Sequence, residues 1–166
     1  PLKSKSPSVE QIRQLKILAS HKIPKAWEDQ NGHVNVKHYQ TLYEMGAWPL
    51  LSCAGLNKNY FEERKMGIFD LEQHLRYFNE IRVNDDVSVH GHVLDTNSKR
   101  LHGIILILNI TKDKCACTLE FVASSVDLRT RKTADFPIDI QTGLRSLVME
   151  SKSIAWDIPL CGHMQI

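Results

Sequence analysis

Hydrophobic residues in the first third of the chain recur at helical spacing. Over residues 8–20 they fall on one stripe, directly after a capping box formed by Ser8 and Gln11. A longer stripe covers residues 36–54, and Asn35 is placed to cap the N-terminus of this second helix. The sequence therefore predicts a short amphipathic helix over residues 8–20 and a long, mostly buried helix after it.

Two prolines modify these elements. Pro49 lies inside the long helix, where it removes one backbone hydrogen bond and should bend or split the last turns. Pro24 lies within residues 21–28, a short segment with the pattern of an extended chain. Because proline cannot donate to a strand ladder, we expect this segment at the edge of a sheet.

From residue 68 onward the period of the apolar residues changes from 3.6 to 2. Four strand-like runs follow, separated by short turns, at residues 68–81, 86–96, 100–111 and 115–128. Short connectors favour an antiparallel meander, because parallel strands need long crossovers. The stretch "GIILILNI" in the third run is apolar on both faces, so it should form a central strand that is covered on both sides.

These elements predict an α+β fold in which an antiparallel sheet wraps around the long central helix, with the segment before the helix joining the sheet. The helix and the curved sheet then bury their apolar faces against each other. At 166 residues, the chain is expected to form a single domain.

Composition and charge exclude some classes of function but add little about the fold. The chain is 42% hydrophobic and 24% charged, as ordinary globular domains are, and no apolar run approaches the roughly 18 residues of a membrane helix. We therefore expect no membrane span. A formal net charge of +2 is too small to indicate a nucleic-acid partner, although it is compatible with an anionic small molecule.

The N-terminal residues and the cysteines indicate in which cellular compartment the protein is expected. The start "PLKSKSPSVEQ" lacks the apolar core of a signal peptide, and the absent initiator methionine suggests a processed or trimmed chain. A cytoplasmic location is the expectation that follows. The four cysteines should be reduced, because a chain of this length without a secretory signal does not need a disulfide framework.

Two pairs of residues have the spacing of metal ligands, His90 with His92 and Cys115 with Cys117. In a meander these pairs fall on the second and fourth strands. Strand spacing then separates them by roughly 10 Å, which is too far for a tetrahedral site. We therefore predict no metal site and no redox cofactor.

Polar residues concentrate just before the long helix, in the pattern D-x-N-G-H-V-N over residues 29–35. Each residue alone can be explained as part of a helix start, as a cap, a turn or a negative charge at the positive helix end. Together they bring a carboxylate, an amide and an imidazole to a helix N-terminus, whose free N–H groups suit an oxyanion or a polarised carbonyl. A carboxylate at that point can attack the carbonyl or deprotonate a water molecule. The pattern therefore predicts acyl transfer to water.

This pattern resembles that of the hotdog-fold thioesterases, in the branch typified by hydroxybenzoyl-CoA thioesterase and the plant acyl-carrier-protein thioesterases. The resemblance covers roughly residues 21–137. It implies a single hotdog domain over residues 1–166, with an N-terminal helix over 8–20 and a C-terminal extension over 138–166. It also implies a dimer or a dimer of dimers, because one hotdog domain leaves a free sheet edge and only half of an acyl cleft.

The resemblance also implies roles for individual residues. Asp29 acts as nucleophile or general base, while Asn31 and His33 orient the water or the carboxylate. Backbone N–H groups over residues 32–34 polarise the thioester carbonyl. Glu72 corresponds to a strand glutamate that some of these enzymes supply from the neighbouring subunit. The expected substrate-binding residues are Gly32, Val34, Asn35, Tyr39 and His74, together with Arg129, Arg131 and Lys132 for the phosphates of CoA.

The predicted reaction is hydrolysis of an acyl-CoA thioester to the free acid and CoA, without a cofactor. The runs "HLRYFNEIRVNDDVSV", "KRLH" and "VDLRTRKTADFP" are similar to the betainyl-CoA thioesterases of carnitine breakdown, which implies betainyl-CoA as a candidate substrate. Two alternatives stay open. Hotdog enoyl-CoA hydratases use the same residue types in a D-x-N-P-x-H pattern, which is spaced differently from the pattern here. A non-catalytic acyl-binding module would not need an intact Asp29.

Overall fold

The computed structural model of the chain describes residues 6–166, so the first five residues of the predicted domain lie outside the described part. Within this range the chain forms helices and strands together with one 3₁₀ turn at Lys25–Trp27. Their bounds in chain order are α1 Val9–Arg13, β1 Ile17–Lys22, α2 Lys37–Ser52, α3 Lys58–Glu62, β2 Met66–Tyr77, β3 Asp86–Thr96, β4 Arg100–Asn109, β5 Lys114–Asp127, β6 Lys132–Thr133 and α4 Ile138–Lys152.

The five longer strands form one antiparallel sheet in the order β1-β3-β4-β5-β2, and β6 pairs with the end of β5. The long helix α2 lies against the inner face of this sheet and buries one side in its core. The predicted α+β class, with an antiparallel sheet around a long central helix, is therefore confirmed.

The position of β2 differs from the predicted meander. Only β3, β4 and β5 are neighbours in chain order, whereas β2 pairs with β5 at the opposite edge of the sheet from β1. The cause is the connector of residues 78–85, which is too long for a tight hairpin. At its start, Phe78 N donates to Ala116 O of β5 at 2.8 Å, and at its end Asn84 N donates to Ile23 O after β1 at 2.9 Å. The connector therefore crosses from one edge strand to the other and closes one end of the curled sheet.

The predicted helix over residues 8–20 is wrong in its length. The capping box is confirmed, because Ser8 Oγ accepts from Gln11 N at 3.2 Å and Gln11 Oε1 accepts from Ser8 N at 2.8 Å. However, α1 has only 5 residues, and Ile17–Lys22 form the edge strand β1, which pairs with β3. Pairing with β3 supplies backbone partners and a sheet surface, and this tertiary contact overrides the local helical spacing. The edge strand consequently begins before the segment of residues 21–28 in which it was expected.

The main core lies between α2 and the inner face of the sheet. Gly46 allows α2 to approach β3 closely, since a Cβ atom at this position would lie 2.4 Å from Val89 Cγ1. Pro49 does not split α2, which continues to Ser52. Beside α2, the C-terminal helix α4 packs its buried side into the same core, with Gly143 against the backbone of Ala54.

The outer face of the sheet is covered as well. Helix α1 and the segment of residues 153–166 pack on apolar residues of β4 and β5 that point away from α2. Burial on both faces confirms the predicted central, covered position of "GIILILNI". All four cysteines are free thiols, as predicted. Across residues 6–166, none of the helices combines the length and the hydropathy that crossing a membrane requires.

Candidate active site

The polar pattern over residues 29–35 forms a tight loop immediately before α2. Asp29 N donates to His33 O at 2.9 Å, and Gly32 N donates to Asp29 O at 3.1 Å, so the loop turns back on itself. Gly32 has a φ of +77°, in the left-handed region that glycine adopts without strain. The backbone therefore holds the loop closed, and its polar side chains are not needed for that purpose.

Three of the four predicted catalytic side chains, Asp29, Asn31 and His33, come together in this loop. Asp29 Oδ1 accepts from Asn31 N at 2.8 Å, and Asp29 Oδ2 lies 3.5 Å from both Asn31 Nδ2 and His33 Nδ1. His33 Nδ1 also lies 3.3 Å from Val34 O. Because both neighbours of Nδ1 are acceptors, the neutral ring carries its proton on this atom. The other ring nitrogen, Nε2, can then accept a hydrogen bond from water or substrate.

The Asp29 carboxyl is ionised at neutral pH. Its side chain is only 15% exposed, and this burial by itself raises the pKa of the carboxyl. The N–H of Asn31 and the nearby imidazole of His33 outweigh burial and hold the pKa below the ordinary aspartate value. Asp29 is therefore present as the carboxylate, which is the form that a nucleophile or a general base requires.

The backbone N–H groups available to a substrate differ from those predicted. Gly32 N donates to Asp29 O at 3.1 Å and Val34 N donates to Ile81 O at 2.8 Å, so these two groups cannot polarise a carbonyl. The prediction fails for them because the hydrogen bond of Gly32 N closes the loop and that of Val34 N joins the loop to the connector of residues 78–85. Among residues 6–166, nothing accepts from the N–H groups of His33 and Val36. These two groups are therefore the available donors beside α2.

A cavity of about 380 Å³ opens beside the loop. Its lining includes Asp29, His33, Val34, Asn35 and Tyr39 of the predicted site, whereas Asn31 and Gly32 do not reach it. Most of the lining is apolar. The arrangement therefore presents one carboxylate and a helix N-terminus to a largely apolar space, as a site for an acyl group requires.

The opposite wall of the cavity was not predicted. It consists of residues 77–80, where β2 passes into the connector. Tyr77 meets Tyr39 edge to face, with ring centroids 4.9 Å apart, and burial raises the pKa of both tyrosines, so both stay neutral. In the sequence, "YFNE" has the pattern of a continuing strand. Only the path of the connector across the end of the sheet brings these residues to α2.

Glu72 and His74 lie on the outer face of β2, away from the cavity of their own chain. Their neighbours Asp70 and Gln73 bond to side chains of α2 on the inner face, whereas His74 lies beside Glu120 under the C-terminal segment. Glu72 is two positions from His74 and shares its face. The role predicted for Glu72 in a neighbouring subunit's site stays a prediction.

The cations expected to bind CoA phosphates, Arg129, Arg131 and Lys132, lie far from the cavity of their own chain. They follow the end of β5, which pairs with the first residue of β2, Met66, whereas the cavity lies at the last residue, Tyr77. The 12 residues of β2 separate these ends by about 37 Å. Within one chain, the predicted phosphate site and the predicted catalytic site are therefore separate.

A second carboxylate faces α2 and was missed by sequence reasoning. Asp70 accepts from Tyr43 Oη at 3.1 Å and from Gln73 Nε2 at 2.8 Å. The residue as a whole is exposed, but its carboxylate lies against α2, and this partial burial raises its pKa more than the two hydrogen bonds lower it. A β-bulge between Asp70 and Glu72 brings residues three apart to the same face, which a strict period of 2 does not foresee.

With this fold and site in place, comparison with known proteins identifies the family. The model of the thioesterase-like superfamily matches residues 23–144. The chain belongs to this superfamily.

Curated relatives give a narrower resemblance. The chain is 24% identical over 130 residues to the L-carnitine dehydrogenase/betainyl-CoA thioesterase of Rhizobium meliloti (strain 1021), which covers 78% of this chain and 26% of the relative. It is 29% identical over 76 residues to a betainyl-CoA thioesterase of Pseudomonas aeruginosa, covering 46% of this chain and 48% of the relative. The chain thus spans about a quarter of the length of the Rhizobium relatives it matches.

Solved structures share the fold over almost the whole chain. A hypothetical protein from Staphylococcus aureus, determined in complex with CoA, superposes with a TM-score of 0.80 at 20% identity, covering 98% of this chain and 99% of the other. A 1,4-dihydroxy-2-naphthoyl-CoA thioesterase from Synechocystis superposes with a TM-score of 0.69 at 16% identity, covering 79% and 96%. At these identities the likeness confirms the hotdog fold.

Proposed function

We propose that this chain hydrolyses the thioester bond of an acyl-CoA, giving the free acid and CoA. The observation that carries the proposal is the ionised carboxylate of Asp29 beside the unused N–H groups of His33 and Val36, at the start of α2. Hydrogen-bond donors at a helix N-terminus stabilise the negative oxygen that forms when a carbonyl is attacked. Membership of the thioesterase-like superfamily supports the same reaction.

The chemistry can follow either of two routes. As a general base, Asp29 takes a proton from water while the water oxygen adds to the carbonyl carbon. The carbonyl then re-forms, the C–S bond breaks, and the departing CoA thiolate takes up the proton. As a nucleophile, Asp29 itself adds to the carbonyl, the C–S bond breaks, and CoA leaves as the thiolate, which gives a mixed anhydride. Water then hydrolyses the anhydride to the free acid and the Asp29 carboxylate, and the proton released goes to the CoA thiolate.

Thiol release from a panel of acyl-CoAs tests this proposal. We expect wild type to release thiol and Asp29→Asn to lose about 10²- to 10⁴-fold in rate, the usual contribution of a positioned acid or base. Asp113→Asn is the matched control, because Asp113 is an exposed aspartate whose positive φ suits asparagine. No thiol release above background from any ester would contradict hydrolysis. Hydration of a trans-2-enoyl-CoA without thiol release would instead indicate the lyase, and tight binding without either reaction would indicate an acyl-binding module.

A second copy of the chain is the proposed partner, and β2 is the proposed contact. This strand is a sheet edge, and it carries the exposed apolar residues Phe69, Leu71 and Tyr77, which are 37%, 55% and 50% exposed. A free edge with apolar side chains favours pairing with another strand. Antiparallel pairing of two β2 strands about a twofold axis would place the Met66 end of one copy beside the Tyr77 end of the other.

This pairing would also unite the two separated parts of the site. The three cations after β5 lie at the Met66 end of β2, so those of one copy would approach the cavity of the other. Arg131 suits the phosphates of CoA because a guanidinium group can donate two parallel hydrogen bonds, whereas Arg129 donates to both oxygens of Asp127, at 3.1 and 2.8 Å, and would have to exchange this partner for a phosphate. In this arrangement the acyl group lies in one copy and the nucleotide of CoA is bound by its partner.

Betainyl-CoA is the candidate ester. The cavity places the aromatic rings of Tyr39, Tyr77 and Phe78 near the carboxylates of Asp29 and Glu80. Aromatic faces and carboxylates attract a quaternary ammonium group. The panel should therefore compare betainyl-CoA with 3,3-dimethylbutanoyl-CoA, in which carbon replaces the charged nitrogen. A preference of about tenfold or more for betainyl-CoA is expected, and equal rates would contradict a cationic acyl group without contradicting hydrolysis.

A further inference from the structure

A cluster of potential metal ligands lies on the outer face of the sheet, opposite the side that holds α2. His74 of β2, Glu120 of β5 and Cys161 of the C-terminal segment each offer one ligand atom, and these atoms all lie within 4.8 Å of one another. His74 and Glu120 are direct partners in the pairing of β2 with β5. Cys161 arrives from the segment that crosses this face after α4. Three different elements thus converge on one point.

The charge at the centre of this cluster is buried and held in place. Glu120 is only 3% exposed, and its Oε1 lies 2.8 Å from His102 Nε2, while its Oε2 accepts from Cys161 N at 2.6 Å. Burial raises the pKa of Glu120, but these partners outweigh it and keep the pKa below the ordinary value. The group is therefore a carboxylate in a site where an unpaired charge would be costly.

The other two ligand groups are also suited to a cation. Cys161 is 6% exposed, and its Sγ accepts from His163 N at 3.4 Å, which fixes the position of the sulfur. His74 is half-buried, and among residues 6–166 its imidazole makes no hydrogen bond to another side chain or to the backbone. One imidazole, one carboxylate and one thiol thus lie together, and the Cys161 side chain is also a hydrogen-bond partner of the Glu120 carboxylate.

We propose that His74, Glu120 and Cys161 bind a zinc ion. Imidazole nitrogen, carboxylate oxygen and thiolate sulfur are the ligand types that zinc prefers, at bond lengths that separate tetrahedral ligands by about 3.3 to 3.8 Å. The ligand atoms would have to approach one another by about 1 Å to reach that spacing. On binding, the Cys161 thiol releases its proton to solvent, and water takes the fourth position. His102 orients the Glu120 carboxylate, as hydrogen-bonded partners of metal ligands do.

The ion would fasten the C-terminal segment to the edge strand β2. At present this segment is held on the outer face by apolar contacts and by the bond from Cys161 N to Glu120. A ligand that binds only the folded state stabilises it in proportion to the logarithm of its concentration over its dissociation constant. Zinc should therefore raise the melting temperature, and this effect does not depend on the reaction at Asp29.

Metal binding to the purified full chain tests the site directly. We expect about one equivalent of zinc, and cobalt in its place should give the intense charge-transfer absorption of a thiolate ligand. Cys161→Ser and His74→Gln should each weaken zinc binding at least about tenfold, and Cys161→Ser should abolish the cobalt–thiolate band. Cys53→Ser and His163→Gln are the matched controls, because Cys53 is exposed elsewhere and His163 lies beside the cluster without belonging to it.

Melting curves in the presence of a chelator separate folding from binding. Cys161→Ser should then melt like wild type to within a few degrees, and only wild type and the two controls should gain stability on addition of zinc. If Cys161→Ser fails to fold, His74→Gln on the edge strand carries the test alone. Binding of no zinc, or equal binding by wild type and His74→Gln, would overturn the proposal.

Discussion

Asp29 and His33 face each other across the loop before α2, with the carboxylate Oδ2 3.5 Å from the imidazole Nδ1. The same loop gives the carboxylate a hydrogen bond from Asn31 N at 2.8 Å. The imidazole therefore has two effects: it helps to keep Asp29 ionised, and its Nε2 remains available to hold a water molecule.

This relationship predicts the pH dependence of hydrolysis. The carboxylate is the active form, so activity is present above the pKa of Asp29 and lost as the pH falls through it. Because that pKa is lowered from 3.8, the acid limb of kcat/KM for wild type should lie below this value. In His33→Ala the attraction from the imidazole is gone, and the acid limb should move to higher pH. The measurement is kcat/KM as a function of pH for both proteins, in assays brief enough to avoid acid denaturation. The quantity to compare is the pH at the midpoint of the acid limb. An unmoved limb would show that His33 does not influence the carboxylate.

The second prediction concerns the backbone of the loop. Gly32 has a φ of +77° and open space around its Cβ position, so Gly32→Ala should cost about 1 kcal/mol in the free energy of unfolding through strain alone. Gly162→Ala is a close control, because Gly162 has a φ of +78° and is equally open, but lies in the C-terminal segment. Both variants should lose similar stability in denaturant titrations.

Activity should separate the two glycine variants. Gly32→Ala should lower kcat/KM, since the strained loop shifts Asp29 from the cavity, whereas Gly162→Ala should leave kcat/KM near the wild-type value. If both variants kept full activity, the geometry of the loop would not matter to the reaction.

The sequence predicts the parts of this protein that depend on local patterns. The D-x-N-G-H-V-N pattern places Asp29, Asn31 and His33 in one loop because they are neighbours in the chain, and the alternating runs correctly predict antiparallel strands. Residues 17–20 show the limit of such patterns. Their spacing suits a helix, yet the free edge of β3 makes them a strand.

What the sequence could not predict depends on contacts between distant segments. The crossing of the 78–85 connector decides that Tyr77 and its neighbours line the cavity. The bulge in β2 decides that Asp70 and Gln73 both face α2. The cluster of His74, Glu120 and Cys161 joins residues far apart in the chain, whereas the local H-x-H and C-x-C pairs lie on strands separated by β4. In each case the decisive information is how segments that are distant in the chain pair and pack with one another.

The third prediction concerns Asp70, whose pKa is raised by partial burial against α2. For a carboxyl with a raised pKa, the contribution to stability is fully present below the unfolded-state value of 3.8 and is lost as the pH rises through the folded-state value. At neutral pH the ionised Asp70 therefore weakens the fold relative to its protonated form. Asp70→Asn keeps an oxygen that can accept from Tyr43 and removes the charge. This variant should melt at a higher temperature than wild type at pH 7, and the difference should shrink toward pH 4. A lower melting temperature at pH 7 would contradict the burial of this carboxylate.

The fourth prediction tests β2 as the contact between two copies of the chain. Leu71 is 55% exposed at the free edge of the sheet, and two copies paired along β2 would bring both Leu71 side chains to the contact. Leu71→Lys places like charges there and should raise the dissociation constant of the dimer by about tenfold or more.

Ile138→Lys is the control. Ile138 is 76% exposed at the start of α4, so this substitution also replaces an exposed apolar side chain by lysine, but away from β2. Sedimentation velocity over a range of concentrations should show wild type and Ile138→Lys as dimers where Leu71→Lys is a monomer. Because the proposed arrangement has the cations after β5 bind CoA in the cavity of the other copy, the monomer should also show a raised KM for acyl-CoA. A Leu71→Lys protein that stays dimeric at the same concentrations would place the contact elsewhere.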